Sequence, residues 1–289
     1  MSDPVHDTVR SGDVMLHIAR SGSGPLVILL HGFPENWTSW RNQMGPLADA
    51  GFTVIAPDLR GYNQSDAPAG VEAYATRPLV DDIAAIVRDS GQARAHVVGH
   101  DWGGVVAWHF AAAHPDLLDR LVILNAPHPG IFSRRVRRPP QLFRSWYAAF
   151  FQLPALPEIA LRAFDFAAIR SLFRRTPARS GTFSDAEIDG YVRGLAGRGR
   201  LTAVLNYYRA AVRRPSKQRV RTDAETLVIW GEQDVALTIG LLDGLERYAP
   251  NVRIERIAVA GHWVQNEAPD RVTALLLEFL GGRTSAPHS

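Results

Sequence analysis

The chain has no cysteine among its 289 residues, which excludes a disulfide framework and any thiolate metal site and leaves packing to hold the fold. Lysine is almost absent as well: Lys217 stands alone, so the formal net charge of +3 rests on arginine. Those arginines fall in short, separated clusters, Arg134 to Arg138 and Arg213 with Arg214, a pattern that suits a solvated face and not a nucleic-acid groove. No stretch approaches the ~20 apolar residues of a membrane span, and MSDPVHDTVRSGDVMLHIARSGSG lacks a basic segment followed by an apolar one. These absences read as a soluble, cytoplasmic protein with no nucleic-acid or membrane partner, its oligomeric state left open. There is no H-E-x-x-H and no Gly-rich phosphate loop, and His109 and His114 are spaced off a common helix face, so neither a metal nor a cofactor is expected.

The composition that remains, 46% hydrophobic and 21% charged, is globular. The short apolar runs PLVILLHG, FTVIAPDLRG, HVVGHD, RLVILNAP, TLVIWGEQD and IERIAVAGH predict buried strands, and RPLVDDIAAIVRDSG and GGVVAWHFAAAHP carry a helical period between them. Such alternation predicts an α/β fold, a mostly parallel sheet with helices on both faces and its chemistry beyond the strand C-termini. The pattern fails between Pro127 and about Val220, where arginines, aromatics and Pro139, Pro140, Pro154, Pro157 and Pro177 accompany helix-like pieces. Residues 128–220 therefore read as a helical cap inserted between two parts of a core, 1–127 and 221–289, with a short flexible tail after Gly281.

VVGHDWGGVVAW, Val97 to Trp108, sets Gly99-x-Asp101-x-Gly103 between an apolar run and a helix-like one. That is the layout of a nucleophile elbow, a strained turn that pushes one side chain into a site while flanking glycines permit close backbone approach. Alone, the match is equally a surface aspartate capping a helix. Two more strand ends add weight. Asp234 closes VIWGEQD and His262 follows the next run in VAGHW, so Asp101, Asp234 and His262 stand in the chain order of an α/β-hydrolase triad. A turn aspartate and a buried histidine explain the latter two singly, but not all three together.

An aspartate of ordinary pKa, ~3.9, is anionic at pH 7 and attacks without help from a base. His262 is then left for water. Attack on an sp³ carbon gives an alkyl ester of Asp101, which water, activated by His262 and oriented through Asp234, hydrolyses at the aspartyl carbonyl. The oxyanion forms on the enzyme itself, with the backbone N–H groups of Trp102 and of Phe33 in HGFP as expected donors. A carboxylate nucleophile suits epoxides and alkyl halides. A halide leaves as a weakly basic anion, whereas an epoxide oxygen needs an acid, such as a tyrosine of pKa ~10. Tyr147 in WYAAFFQLP is one candidate, and one of Tyr207 and Tyr208 in LNYYRA is the other, since helix neighbours point ~100° apart. Plain aromatic packing is the competing account of each.

HGFPENWTSW, DLRGYNQSD, GHDWGG, YAAFFQLP, SLFRR, LNYYR and GHWVQNEAP resemble, in order, segments of the α/β-hydrolase-fold epoxide hydrolases, and the resemblance runs from Pro25 to Leu280. Its specific part is the double-tyrosine cap. The resemblance implies addition of water to an epoxide, giving a vicinal diol through an alkyl-aspartyl intermediate. It implies Asp101 as nucleophile, His262 as base, Asp234 as its acid partner, and Tyr147 with Tyr208 on the epoxide oxygen. Tyr207 falls where a tryptophan is common. Asn63 and Ala155 stand where glycine is usual, and Asn tolerates φ > 0 best among the other residues. Haloalkane dehalogenases resemble HGNP where this chain has Phe33, one branch carries its acid where Asn125 stands, and fluoroacetate dehalogenases have arginine in place of Trp102. Haloalkane or haloacid dehalogenation is thus the alternative reaction, and a non-catalytic ligand-binding protein on the same scaffold is the alternative of another class.

Overall fold

The six apolar runs become six parallel strands in a computed structural model that describes residues 3–216 and 218–282. They are β3 (Leu26–Leu30), β4 (Thr53–Pro57), β5 (Ala95–His100), β6 (Leu118–Leu124), β7 (Thr226–Gly231) and β8 (Val252–Ile257). Ahead of them, β1 (Val5–Ser11) and β2 (Val14–Ser21) form an antiparallel hairpin whose two-residue turn places Gly12 at φ 59°, and β2 pairs antiparallel with β4. The sheet order is β1-β2-β4-β3-β5-β6-β7-β8. The sequence reading missed this hairpin because β1 is an edge strand, exposed at most of its positions, and carries a polar sequence. The tail expected after Gly281 lies outside the described residues from 283 on.

Strand periodicity divides the core between the two faces. Leu26, Ile28 and Leu30 pack with α2 (Thr76–Asp89) and α3 (Trp102–Ala113), while Val27 and Leu29 pack with α1 (Arg41–Asp49) and α11 (Pro269–Gly281). Strands covered on both faces read as continuous apolar runs, which is why they were visible in the sequence. Strand β3 lies between β4 and β5, so the connections leaving β3 and β5 diverge and open a crevice beyond the strand ends.

Between β6 and β7 the chain forms α4 (Pro129–Arg135), α5 (Gln141–Arg144), α6 (Trp146–Phe150), α7 (Leu156–Arg175), α8 (Asp185–Ala196) and α9 (Arg200–Arg213); a short α10 (Val264–Glu267) precedes α11. Pro129 and Pro157 sit in first turns, where a missing N–H costs nothing, so they open helices and do not break them. Helix α7 is interrupted by a left-handed turn, with Phe164, Asp165 and Phe166 at φ 51°, 55° and 58°.

Asn63 adopts φ 41°, and Ala155 is held at φ 60°, ψ −35°. A Cβ in left-handed backbone costs roughly 1–2 kcal/mol. Ala155 is exposed and packs against little, so Ala155→Gly is expected to raise the unfolding free energy by about 1 kcal/mol. Urea unfolding checks this: the midpoint should rise at unchanged slope, and a fall would mean that the turn is not strained there.

Candidate active site

Asp101 stands between the end of β5 and the start of α3 at φ 48°, ψ −117°, a conformation that an L-residue holds only when its surroundings enforce it. The enforcement is steric. A Cβ on Gly99 would lie 2.4 Å from Gly103 O, and one on Gly103 would lie 2.3 Å from Leu30 O. Only hydrogen at both positions lets β3, β5 and α3 meet this closely. Asp101 Oδ1 accepts from Phe33 N at 2.8 Å. Trp102 N lies in the first turn of α3, where N–H groups have no intrahelical partner.

His262 follows β8 and turns both ring nitrogens toward carboxylates: Nε2 is 3.7 Å from Asp101 Oδ2, and Nδ1 is 2.8 Å from Asp234 Oδ2. Asp234, past β7, is buried and well supplied with donors. Its Oδ1 accepts from Ala236 N at 2.7 Å and Leu237 N at 2.9 Å, and its Oδ2 accepts from Asn125 Nδ2 at 2.7 Å. Burial alone would raise the Asp234 pKa, but the His262 ring and these donors hold it below the ordinary value. Burial disfavours the His262 imidazolium too, yet Asp234, with help from Asp101, outweighs that and raises the pKa to about 9.

A pKa raised from 6.5 to about 9 stabilises the fold fully below pH 6.5, and that stability is lost as pH rises through 9. The expected loss between those limits is on the order of 3 kcal/mol, by the same shift. Unfolding titrations at pH 6, 7.5 and 9 should show the slope, and it should disappear in His262→Gln; a slope that persists there belongs to other groups.

Across the crevice, the rings of Tyr147 and Tyr208 lie 5.9 Å apart, and Tyr208 packs edge-on to Trp102 at 5.0 Å and to Phe33 at 5.5 Å. Burial, then the nearby Asp101 charge, pushes both phenol pKa values up, so both keep their protons. Tyr147, Tyr208, Asp101, Trp102 and Leu237 line a cavity of about 810 Å³ that Tyr207 does not reach. The Tyr207 hydroxyl instead donates to Arg60 O at 2.8 Å, tying the helical insertion to the loop after β4. A second tie comes from α5: Gln141 Nε2 donates to Ala236 O, and Arg144 Nη1 to Asp234 O, so the insertion braces the loop that carries Asp234.

Three residues in this arrangement escaped the sequence reading. Asn125 was noticed only as a missing acid, yet besides holding Asp234 it accepts from Gly231 N at 2.8 Å. Glu35, fully buried, lies 3.0 Å from His100 Nδ1, and His100 Nε2 lies 2.8 Å from His262 O. The His100 ring thus bridges the Glu35 carboxyl to the backbone of His262. The signal was adjacency: Glu35 lies two residues after Phe33, and His100 immediately precedes Asp101.

The family model of the α/β hydrolase fold matches residues 25–269. The chain is 40% identical over 278 residues to the AB hydrolase superfamily protein YfhM of Bacillus subtilis, covering 94% of this chain and 96% of that one. It is 38% identical to epoxide hydrolase 3 of Xenopus tropicalis, covering 95% of this chain and 77% of the relative. Among solved structures, a Bacillus megaterium epoxide hydrolase with an inhibitor bound superposes with a TM-score of 0.86 at 30% identity, over 96% of this chain and 100% of that one. A variant of that enzyme, complexed with its product (R)-3-[1]naphthyloxy-propane-1,2-diol, superposes at 0.85. The chain belongs to the α/β-hydrolase fold family and, over nearly its whole length, is similar to proteins named epoxide hydrolases.

Proposed function

We propose that the protein is an epoxide hydrolase that adds water to an epoxide to give a vicinal diol through a covalent ester on Asp101. The observation that carries this reading is the meeting, in one cavity, of the Asp101 carboxylate with two protonated tyrosines, Tyr147 and Tyr208. A halide leaving group has no use for two phenolic acids, and a passive binding protein has none for a carboxylate on a strained turn. The segment 128–220 acts in this reading as a cap that supplies the tyrosines.

In the first step, the Asp101 oxygen not held by Phe33 N, Oδ2, attacks an epoxide carbon. The carbon–oxygen bond of the ring breaks, and a tyrosine proton neutralises the alkoxide. The ester carries no charge, so His262 loses one of the groups that raise its pKa and becomes a better base for the second step. Water gives a proton to His262 and attacks the ester carbonyl, Phe33 N and Trp102 N donate to the oxyanion, and the acyl–oxygen bond breaks as the diol oxygen takes that proton from His262; the proton left on the Asp101 carboxyl returns through solvent to the tyrosinate. Asp234, held by Asn125, keeps the imidazole in position.

Among the described residues no helix is long and apolar enough to cross a membrane. The cysteine-free chain suits a reducing cytoplasm, and its partners are a small epoxide and water. The test is covalent trapping: His262→Gln mixed with a panel of epoxides, rapidly quenched and digested, should carry the substrate mass on the peptide containing Asp101. Absence of the adduct across the whole panel would remove the basis of this reading.

A further inference from the structure

The cavity is longer than the chemistry needs. Trp102, Val105 and His109 line it from a single face of α3, three and four residues apart, and a rise of ~1.5 Å per residue carries the wall roughly 10 Å beyond Trp102. At the level of His109, Trp108 packs edge-on to His128 at 5.0 Å, and His128 stacks on Tyr248 with ring centroids 4.1 Å apart. This outer end is where Arg247 and, from α4, Arg134 join the lining. Helix α9 runs the same way: Tyr208 is at the inner end, and Arg219 lines the cavity after the helix has finished at Arg213. Three guanidinium groups from three distant stretches of chain thus line one mouth.

All three are exposed, and among the described residues none has a carboxylate within 4 Å, although the neighbouring Arg135 is paired with Asp243 at 2.8 Å. Among the described residues, Asp101 is the only Asp or Glu that lines the cavity. Arginine keeps its charge at every accessible pH and binds carboxylate or phosphate through a planar fork. One end of the cavity is therefore a nucleophile of negative charge, the wall between is largely aromatic and aliphatic, and the other end is positive without a counter-charge.

We infer that the substrate is an epoxide carrying a terminal anionic group, carboxylate or phosphate, which Arg134, Arg219 and Arg247 hold at the cavity mouth while the epoxide reaches Asp101. This rests on the reading of the site as epoxide-opening. The charges impose one direction of entry: an anionic head is repelled by Asp101 and attracted by the arginines, so the epoxide goes in first. A merely solvated arginine face would show no such discrimination.

The test compares epoxides of identical chain that end in a carboxylate, a phosphate, a methyl ester or an amide. With the wild-type enzyme at low salt, kcat/KM for the charged members should exceed that for the ester by roughly tenfold or more, mainly through KM, at about two- to fivefold per exposed arginine. The acid-to-ester ratio should fall towards one in R134Q/R219Q/R247Q and in 1 M salt, where the screening length is about 3 Å. Whichever charged member is preferred identifies the head group. Equal turnover of acid and ester by the wild-type enzyme, or an equal loss of both in the triple variant, would overturn the inference. The corresponding diols, which cannot react, separate the two readings: calorimetry should find the acid diol binding more tightly than the ester diol, even if no epoxide were turned over.

Discussion

Turnover is expected to disappear in Asp101→Ala, by a factor on the order of 10⁴ or more, while the protein still folds. No other carboxylate lines the cavity among the described residues, so no second group is placed to form the ester. The folded state loses the hydrogen bond from Phe33 N and a partly exposed side chain, a change of about 1 kcal/mol, and alanine leaves the strained φ as it was. Single-turnover kinetics and an unfolding curve on the same preparation measure both halves. Turnover above a thousandth of wild type, in protein free of contaminating enzyme, would mean that another residue attacks. The same variant also reports on the coupling within the site. Asp101 is one of the charges that hold the His262 pKa near 9, so NMR titration should find that pKa lowered.

Loss of both phenols in Tyr147→Phe/Tyr208→Phe is expected to slow formation of the alkyl-enzyme by roughly 10²–10⁴-fold, the usual worth of general-acid assistance. Each single change should cost less, because the remaining phenol still protonates the opening ring. Hydrolysis of the ester should hardly respond, since it depends on His262 and the backbone donors. Tyr207→Phe is the contrast: its hydroxyl donates to Arg60 O, outside the cavity, so its removal should lower stability by about 1 kcal/mol and leave ring opening near the wild-type rate. Rapid-quench measurement of the two steps distinguishes these outcomes. Wild-type alkylation in the double variant, or a large alkylation defect in Tyr207→Phe, would place the acid elsewhere.

How much of this was legible in the sequence depended on whether the signal was local. The six parallel strands were, because a strand covered on both faces has to be largely apolar, and β3, β4, β5 and β7 are buried at every position. Asp101 was, because a turn this tight leaves no room for a Cβ where β5 meets α3 and so requires glycine on both sides. The edge hairpin β1–β2 was not, since exposed positions carry no hydrophobic pattern.

The sequence by itself determined the α/β class and the order in which the aspartates and the histidine follow the strands. These follow from periodicity and spacing, which are properties of short segments. Helical period alone left open which of two adjacent tyrosines faces the cavity; the family resemblance pointed to Tyr208, and the tertiary structure supplies the physical reason. Helical geometry requires that they diverge, but which one is turned inward depends on where α9 packs, here with Tyr207 on Arg60 and Tyr208 on Trp102. Packing likewise made Asn125 a support for Asp234 across 109 positions of sequence. It also gathered Arg134, Arg219 and Arg247 around one cavity mouth, although in the chain they look like scattered surface charge. Contacts between residues far apart in the chain leave no local pattern, because either partner alone satisfies every local rule for a solvated or capped side chain.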